Sequence, residues 1–438
     1  VDAARTMTAR ALARAMLAGP HEAGGLAARM AVCLDAHPPW LAALAEAMAR
    51  VPGEVWRRLD VATLARRVDA HDGFAEAWFS AARPEACRWL LRAPDAPAPA
   101  PAGLERPDWP TVGALARGLG MTPAGLWRLT LPADWQRRRP LAQQHYRQAL
   151  IPKRGEGAGW RLLEVPEPHL RAVQRRLLAQ LLNGLPPHDA AFGYARGRSV
   201  VQHAARHAGQ GRVLRFDLGD FFSTVRAARV HALFKTLGYS TAVARALTAL
   251  CVTATPEAWL RAEPRLGWLQ RQRLRDPHLP QGAPTSPAVA NLCAFALDAR
   301  LTGLAERFGA RYSRYADDLV ISGPAALPVR SVGAWVAAIA EDEGFVVNPR
   351  KTRSLGIAQR QSVCGIVVND RPNLPRDEFD RLKAVLHRCV VDGPAGQNRD
   401  GHADFRRHLQ GRVAWATQLN PGKAEKLKAL LDRITWPG

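Results

Sequence analysis

Three acidic residues stand where a folded chain rarely tolerates charge. Asp217 lies in VLRFDLGDFFSTV, and Asp317 and Asp318 are adjacent in RYADDLVIS, each set among apolar runs that read as buried strands. Burying one ionised carboxylate is costly, and burying two side by side costs more, unless a cation or hydrogen bonds compensate. Two carboxylates ~4 Å apart repel by about 4 kcal/mol at an effective dielectric of 20. Antiparallel strands could bring both segments to one end of a sheet, and such a cluster suits divalent ions. Mg2+ takes oxygen ligands, few carboxylates and substrate phosphates. Two such ions roughly 3.5–4 Å apart activate a sugar hydroxyl and stabilise the leaving pyrophosphate in in-line phosphoryl transfer. A lone strand Asp reads more simply as an edge or turn residue. The apolar–Asp–Asp–apolar hairpin, with a second strand Asp about a hundred residues earlier, favours the metal site.

The elements that must position these groups form an α+β core with helical flanks. RVLRFDLGDFF and RLLEVP contain short strands, and RYSRYADDLVISG reads as strand–turn–strand. HLRAVQRRLLAQLLNGL is an amphipathic helix, and SPAVANLCAFALDARLTGLAERF is expected to be one long helix. After FVVNPRKTRS and QSVCGIVVND the chain turns helical again, from Pro375 onwards. Residues 1–92 read as helices, in TARALARAMLAG, WLAALAEAMARV and VATLARRVDAHDGFAEAWFSAA. Residues 93–110 include APDAPAPAPAGLERP, whose proline density predicts a semi-rigid linker. TVGALARGLGMTPAGLWRL predicts two short helices around a Gly turn, a helical hairpin rather than a DNA reader.

The bulk numbers bound the partners. Lys and Arg number 61 against 39 Asp and Glu, a formal charge of +22, which favours a polyanion, nucleic acid before membrane. No apolar run reaches the ~18 residues needed to span a bilayer, and no basic segment followed by an apolar core marks a signal peptide. The six cysteines form no C-x-x-C pair, so a disulfide framework or zinc ribbon is not expected and a reducing cytoplasm fits. His203 and His207 stand four apart, but without a cysteine pair nearby they read as RNA contact or packing rather than half a zinc site.

The order FDLGDFF, PQGAPTSPAVAN, YADD and GFVVNPRKT resembles the palm motifs of reverse transcriptases, over about three quarters of the chain from Thr111. The resemblance implies a right hand of fingers, palm and thumb, and Mg2+-dependent synthesis of DNA on an RNA template. It implies Asp217 and Asp317 as main metal ligands with Asp318 beside them, and Tyr315 beneath the primer end. Phe222 would be the steric gate, whose ring leaves no room for a 2′-hydroxyl. Phe221 is expected to be simple core, and Asp220 to help bound the nucleotide pocket. Gln281 would offer its amide to base or sugar, and Gly282 would let backbone approach the nucleotide. Asn291, one turn into the following helix, is a weaker candidate. IPKRGEGAGWRLLEVP matches the fingers hairpin, so Lys153 and Arg161 are the expected triphosphate clamps. Lys351 in NPRKT is a candidate proton donor to pyrophosphate.

AFGYARGRSVVQHAARH is similar to the fingers-to-palm segment of bacterial retron enzymes, with His203 where that family's N-A-x-x-H motif has Asn. Its V-T-G motif reads Val363-Cys364-Gly365 here. The basic, amphipathic C-terminal tail resembles the retron thumb, suited to phosphate contacts. Arg196 and Arg198 are expected phosphate binders. This resemblance implies a cognate structured noncoding RNA, priming from an internal guanosine 2′-hydroxyl, a branched RNA–DNA product (msDNA), dNTP substrates and an effector protein in phage defence. The expected division is residues 1–92 as a helical accessory domain, 93–110 as linker, 111–212 as N-terminal helices and fingers, 213–370 as palm and 371–438 as thumb. After Gly438 no maturase or endonuclease part is expected. Asp35, His37 and His71 have no visible partners for chemistry in the first segment. The rivals are another defence-associated or group II intron-derived reverse transcriptase, and a catalytically silent RNA-binding scaffold.

Overall fold

A computed structural model describes residues 2–56, 59–80, 85–88, 103–131, 140, 143–153 and 159–436. The chain divides into two compact units, Val1–Pro97 and Ala98–Gly438. The Pro-rich stretch lies largely outside the described residues.

The first unit contains the helices Ala3–Met16, Ala23–Leu34, Pro39–Ala49, Gly53–Trp56, Val61–Asp69 and Asp72–Ser80. The segment VATLARRVDAHDGFAEAWFSAA is therefore two helices, parted at Ala70–His71. Residues at helical spacing, among them Leu12, Met16, Leu26, Met30, Leu44, Leu64 and Phe74, make its core. Asp2 caps the first helix through the Ala4 amide (2.9 Å) and accepts a bond from the Trp78 indole (2.7 Å), closing the first helix onto the last. Arg29 spends its guanidinium on the carbonyls of Ala15, Met16 and Pro20.

In the second unit a hairpin of β1 (Tyr146–Pro152) and β2 (Trp160–Pro166) precedes the central sheet. That sheet uses β3 (Arg212–Asp217), β4 (Arg311–Tyr315), β5 (Asp318–Gly323) and β6 (Arg353–Gly356) in the order β4-β5-β3-β6, every pair antiparallel. Side chains alternate across a strand, and the two faces meet different cores. Leu214, Phe216, Leu319 and Ile321 join the large helical core on one side. Val213 and Val320 join Phe379, Leu386, Leu409, Val413 and Leu427 of the C-terminal helices on the other. Those helices are Arg376–Val391, Phe405–Leu419 and Pro421–Asp432. A small hairpin, β7 (Ser362–Val363) with β8 (Ile366–Val367), packs between them and the sheet.

Two expectations on the helices resolve differently. The helical hairpin forms as predicted, with helices Val112–Gly118 and Pro123–Leu129. The single long helix does not. It is two helices, Ser286–Cys293 and Phe295–Arg307, bent by 49° at Ala294. No Pro or Gly marks the joint. The first piece packs against helix Ala227–Thr236, while the second lies against β4 and helix Val329–Asp342, so tertiary contacts demand two directions. Among the described residues no single helix is long and apolar enough to cross a membrane. None of the six cysteines is joined in a disulfide.

Candidate active site

The register of the central sheet assembles the acidic residues. Asp217 ends β3 directly opposite Asp318, the first residue of β5. Asp317 occupies the β4–β5 turn, and its carbonyl accepts the Leu218 amide at 2.9 Å. The third segment closes from the other side. The Asn348 amide donates to the Asp217 carbonyl (2.7 Å), and the Lys351 ammonium reaches Asp217 Oδ1 (2.8 Å).

The turn is held by a buried polar network that the sequence motifs did not reveal. Arg314, fully buried, donates to both oxygens of the equally buried Asp298 (2.8 and 2.6 Å), to Asn291 Oδ1 (2.9 Å) and to the Ala316 carbonyl (3.0 Å). Tyr312 donates to Asp298 Oδ1 (2.8 Å), and Asn291 passes a bond on to the Gly193 carbonyl (2.8 Å). Ala316 is thereby fixed at φ 56°, a left-handed conformation costly for a residue with a Cβ. The signal available in the sequence was a charge inside each of two apolar segments, Asp298 and Arg314.

A pocket of about 410 Å3 opens beside the carboxylates. Asp217, Asp317 and Lys351 line it from the sheet, Asp220 and Phe222 from the segment after β3, Lys153 and Arg161 from the β1–β2 hairpin, and Gln281 from the turn before helix Ser286–Cys293. The sequence thus named groups from five separate segments that share one cavity. It missed Tyr194, at φ 61° with its ring 6.2 Å from that of Phe222, and Arg273, which pairs with Asp220 at 2.9 Å. Phe221 is core, stacked on Phe345. Gly282 has φ 135°, and a Cβ there would meet the Glu164 carbonyl at 2.8 Å, so its close approach is to the hairpin.

Several expected RNA contacts are occupied elsewhere. His203 and His207 are fully buried. The ring of His207 bonds Ser322 and Ser313 (2.7 Å each), and Ser313 bonds His203 (2.8 Å). Burial, and then nearby cations and His neighbours, push His203 down to about 3 and His207 well below its ordinary value, so both are neutral struts between helix Val200–Ala205 and the sheet. Arg198 donates from Nη1 to the carbonyls of His188, Asp189 and Ala191 and from Nη2 to Asp189 Oδ1 (3.0 Å). Val363 is core, and Cys364 and Gly365, at φ 48° and 83°, make the β7–β8 turn. The Cys364 thiol faces Asp318 Oδ2 at 3.8 Å. Arg196 is exposed, and half-buried Tyr315 pairs with Asp318 across the β4–β5 turn, its ring 5.8 Å from that of His203.

The carboxylates feel one another. Burial, then the charges of Asp318 and Asp217, raise Asp317, against bonding by its own backbone amide. Burial and Asp217 raise Asp318, opposed by Arg215 and Cys364. Among the described residues no three His, Cys, Asp or Glu side chains already enclose a metal position. The donor set nonetheless fits a hard divalent cation, because three mutually repelling oxygen donors gain most from one.

The sequence profile described as "Reverse transcriptase (RNA-dependent DNA polymerase)" matches residues 151–367, which contain all three carboxylates and the pocket groups named above. The chain is 39% identical to the Retron Mx65 reverse transcriptase of Myxococcus xanthus, over 73% of this chain and 71% of that one. This chain belongs to the retron-type reverse transcriptase family. It is an RNA-directed DNA polymerase, of a family whose mechanism is metal-dependent. The Retron Mx162 enzyme of the same organism is 36% identical, over 66% of this reverse transcriptase and 61% of the relative. The Retron Ec86 enzyme of Escherichia coli is 30% identical, over 67% and 82%. The telomerase of Candida albicans superposes over 70% of this reverse transcriptase and 57% of that chain, at 10% identity and a TM-score of 0.36, a likeness too slight to bear on the fold.

Proposed function

We propose that this reverse transcriptase copies a cognate structured noncoding RNA from an internal guanosine 2′-hydroxyl, giving branched msDNA, in the cytoplasm and in phage defence beside an effector protein. The observation that carries the catalytic part is the register pairing Asp217 with Asp318, with Asp317 facing the shared pocket. The sheet is read as the palm, the β1–β2 hairpin as part of the fingers and the C-terminal helices as the thumb.

Asp217 and Asp317 would hold two Mg2+ ions with Asp318 as the adjoining carboxylate, and the ions would supply hydroxyl activation and charge balance at the leaving pyrophosphate. Lys153 and Arg161 neutralise the triphosphate, and Phe222 excludes a ribose 2′-hydroxyl. Lys351 leaves Asp217 as substrate enters and gives its proton to pyrophosphate. Tyr315 supports the primer end. Arg196 and the exposed basic residues of the C-terminal helices bind phosphates without reading sequence.

The test is to recover the protein from its native locus and sequence the nucleic acid bound to it. DNA joined to RNA through a 2′–5′ linkage supports the proposal, and unbranched cellular RNA alone refutes the retron-specific part. Replacing Phe222 by Ala should let ribonucleotides compete, read as incorporation of rNTP against dNTP.

A further inference from the structure

In the lining of the nucleotide pocket lies a buried pair of side chains that the chemistry above does not use. Glu164 of β2 and His278 have side chains 2% and 0% exposed, and Glu164 Oε2 sits 2.8 Å from His278 Nε2. Glu164 Oε1 accepts from the Thr255 hydroxyl at 2.7 Å. The other ring nitrogen of His278 faces the Asp276 carbonyl at 2.7 Å. Both ring nitrogens therefore face oxygens, and with Glu164 ionised the arrangement is satisfied only when both carry a proton. A neutral imidazole would leave one acceptor facing a bare lone pair.

The charged surroundings agree. Burial disfavours the cation, and Arg226 opposes it, yet the Glu164 carboxylate and the Asp276 carbonyl together hold His278 above its ordinary value. Tyr146 of β1 is a further titratable group near Glu164, and the Asp276 carboxylate faces Arg226 at 3.6 Å. Lys153, Arg161 and Asp220 line the same pocket as the pair.

The pair sits where two parts of the pocket join. Three residues before Glu164 is Arg161, and three residues after His278 is Gln281. The Glu164 amide donates to the Gln281 carbonyl at 2.9 Å, and Gly282 lies against the Glu164 carbonyl. His278 is itself fixed by two backbone bonds with Thr253 (2.8 and 2.9 Å). We propose that Glu164 and His278 form a buried ion pair that sets nucleotide affinity, by tying the strand carrying Arg161 to the segment carrying Gln281. Their buried side chains act as positioning groups through the backbone of the two segments, and the inference rests on reading this pocket as the dNTP site.

The experiment is steady-state extension of oligo(dT) on poly(rA) by the full chain, with KM for dTTP and kcat followed from pH 6 to 9. E164Q and H278Q should each raise KM about tenfold, the effect of losing one charged hydrogen bond, with kcat nearly unmoved. In the wild type KM should rise as pH climbs through the titration of His278, and in H278Q that limb should vanish. A folded E164Q with wild-type KM at every pH overturns the proposal, as does a loss confined to kcat. If neither variant folds, T255V removes one bond to Glu164 and leaves the pair. A KM raised about threefold then supports the proposal, and an unmoved KM overturns it. A wild-type chain that extends no primer defeats the reading of the pocket itself. An active wild type with unmoved KM in the variants defeats only this inference.

Discussion

The two units of this chain differ sharply in their electrostatics. Residues 1–97 carry 12 Arg and no Lys against 11 Asp and Glu, while residues 98–438 carry 49 Lys and Arg against 28. Nearly all of the +22 charge therefore belongs to the second unit. In the first unit Arg5 is committed to Asp69 and Arg29 to three carbonyls. The second unit buries charge as well, but around the reacting groups: Arg314 with Asp298, Glu164 with His278, and three carboxylates at the end of one sheet. The contrast teaches where polyanion binding resides. Counterion release requires cations free to meet phosphates, and the first unit has almost no net surplus of them.

The strongest test of that contrast is at the carboxylates. The double change D317N/D318N should lower nucleotide incorporation by at least about a thousandfold, as expected when charge-stabilising groups are removed together, while RNA retention on a filter stays near wild type. Loss of RNA binding in step with activity would place the binding surface at the catalytic end. Next in size is the buried pair. R314M strands Asp298 in the core and should cost about 3–5 kcal/mol in denaturant unfolding. R5Q, which removes the Arg5–Asp69 pair from a position where Asp69 is half exposed, should cost about 0.2–1 kcal/mol.

Acid should separate the units too. His203 and His207 have folded values depressed below the ordinary 6.5, so the unfolded chain binds more protons below that pH. Their contribution is complete above pH 6.5 and is lost as pH falls toward the folded values, at up to about 1.4 kcal/mol per pH unit for each ring. Calorimetry from pH 7 to 4 should show the second unit losing stability. The smallest effect concerns salt. Neutralising exposed Arg381, Lys383 and Lys426 to Gln should reduce the slope of log K against log salt for RNA by roughly 0.7–0.9 for each phosphate that no longer meets a cation. The same treatment of exposed Arg10, Arg14 and Arg50 should leave the slope unchanged.

Much of the site was legible because its chemistry leaves marks at short range. Asp317 and Asp318 between apolar runs, Phe222 five residues past Asp217, and Gln281 before a Pro-rich helix start are local patterns. Less legible were the residues whose meaning lies in a distant partner. Glu164 reads as an ordinary polar position in a hairpin, and His278 as a loop residue, until the fold brings together two positions 114 apart in sequence. For His203 and His207 the sequence left RNA contact and packing both open for the same reason, since only tertiary structure shows that Ser313 and Ser322 face them. The bend at Ala294 carries no Pro or Gly because packing, rather than backbone chemistry, imposes it.

The sequence alone determined the family, the α+β character, the three carboxylates and the basic surplus, because these depend on residue type, spacing and alternation along a strand. Tertiary structure alone decided which polar groups are buried together, where the pocket closes and which arginines are already spent. Those outcomes depend on pairwise distances between remote segments, and desolvation makes each such meeting either costly or stabilising according to the partner it finds.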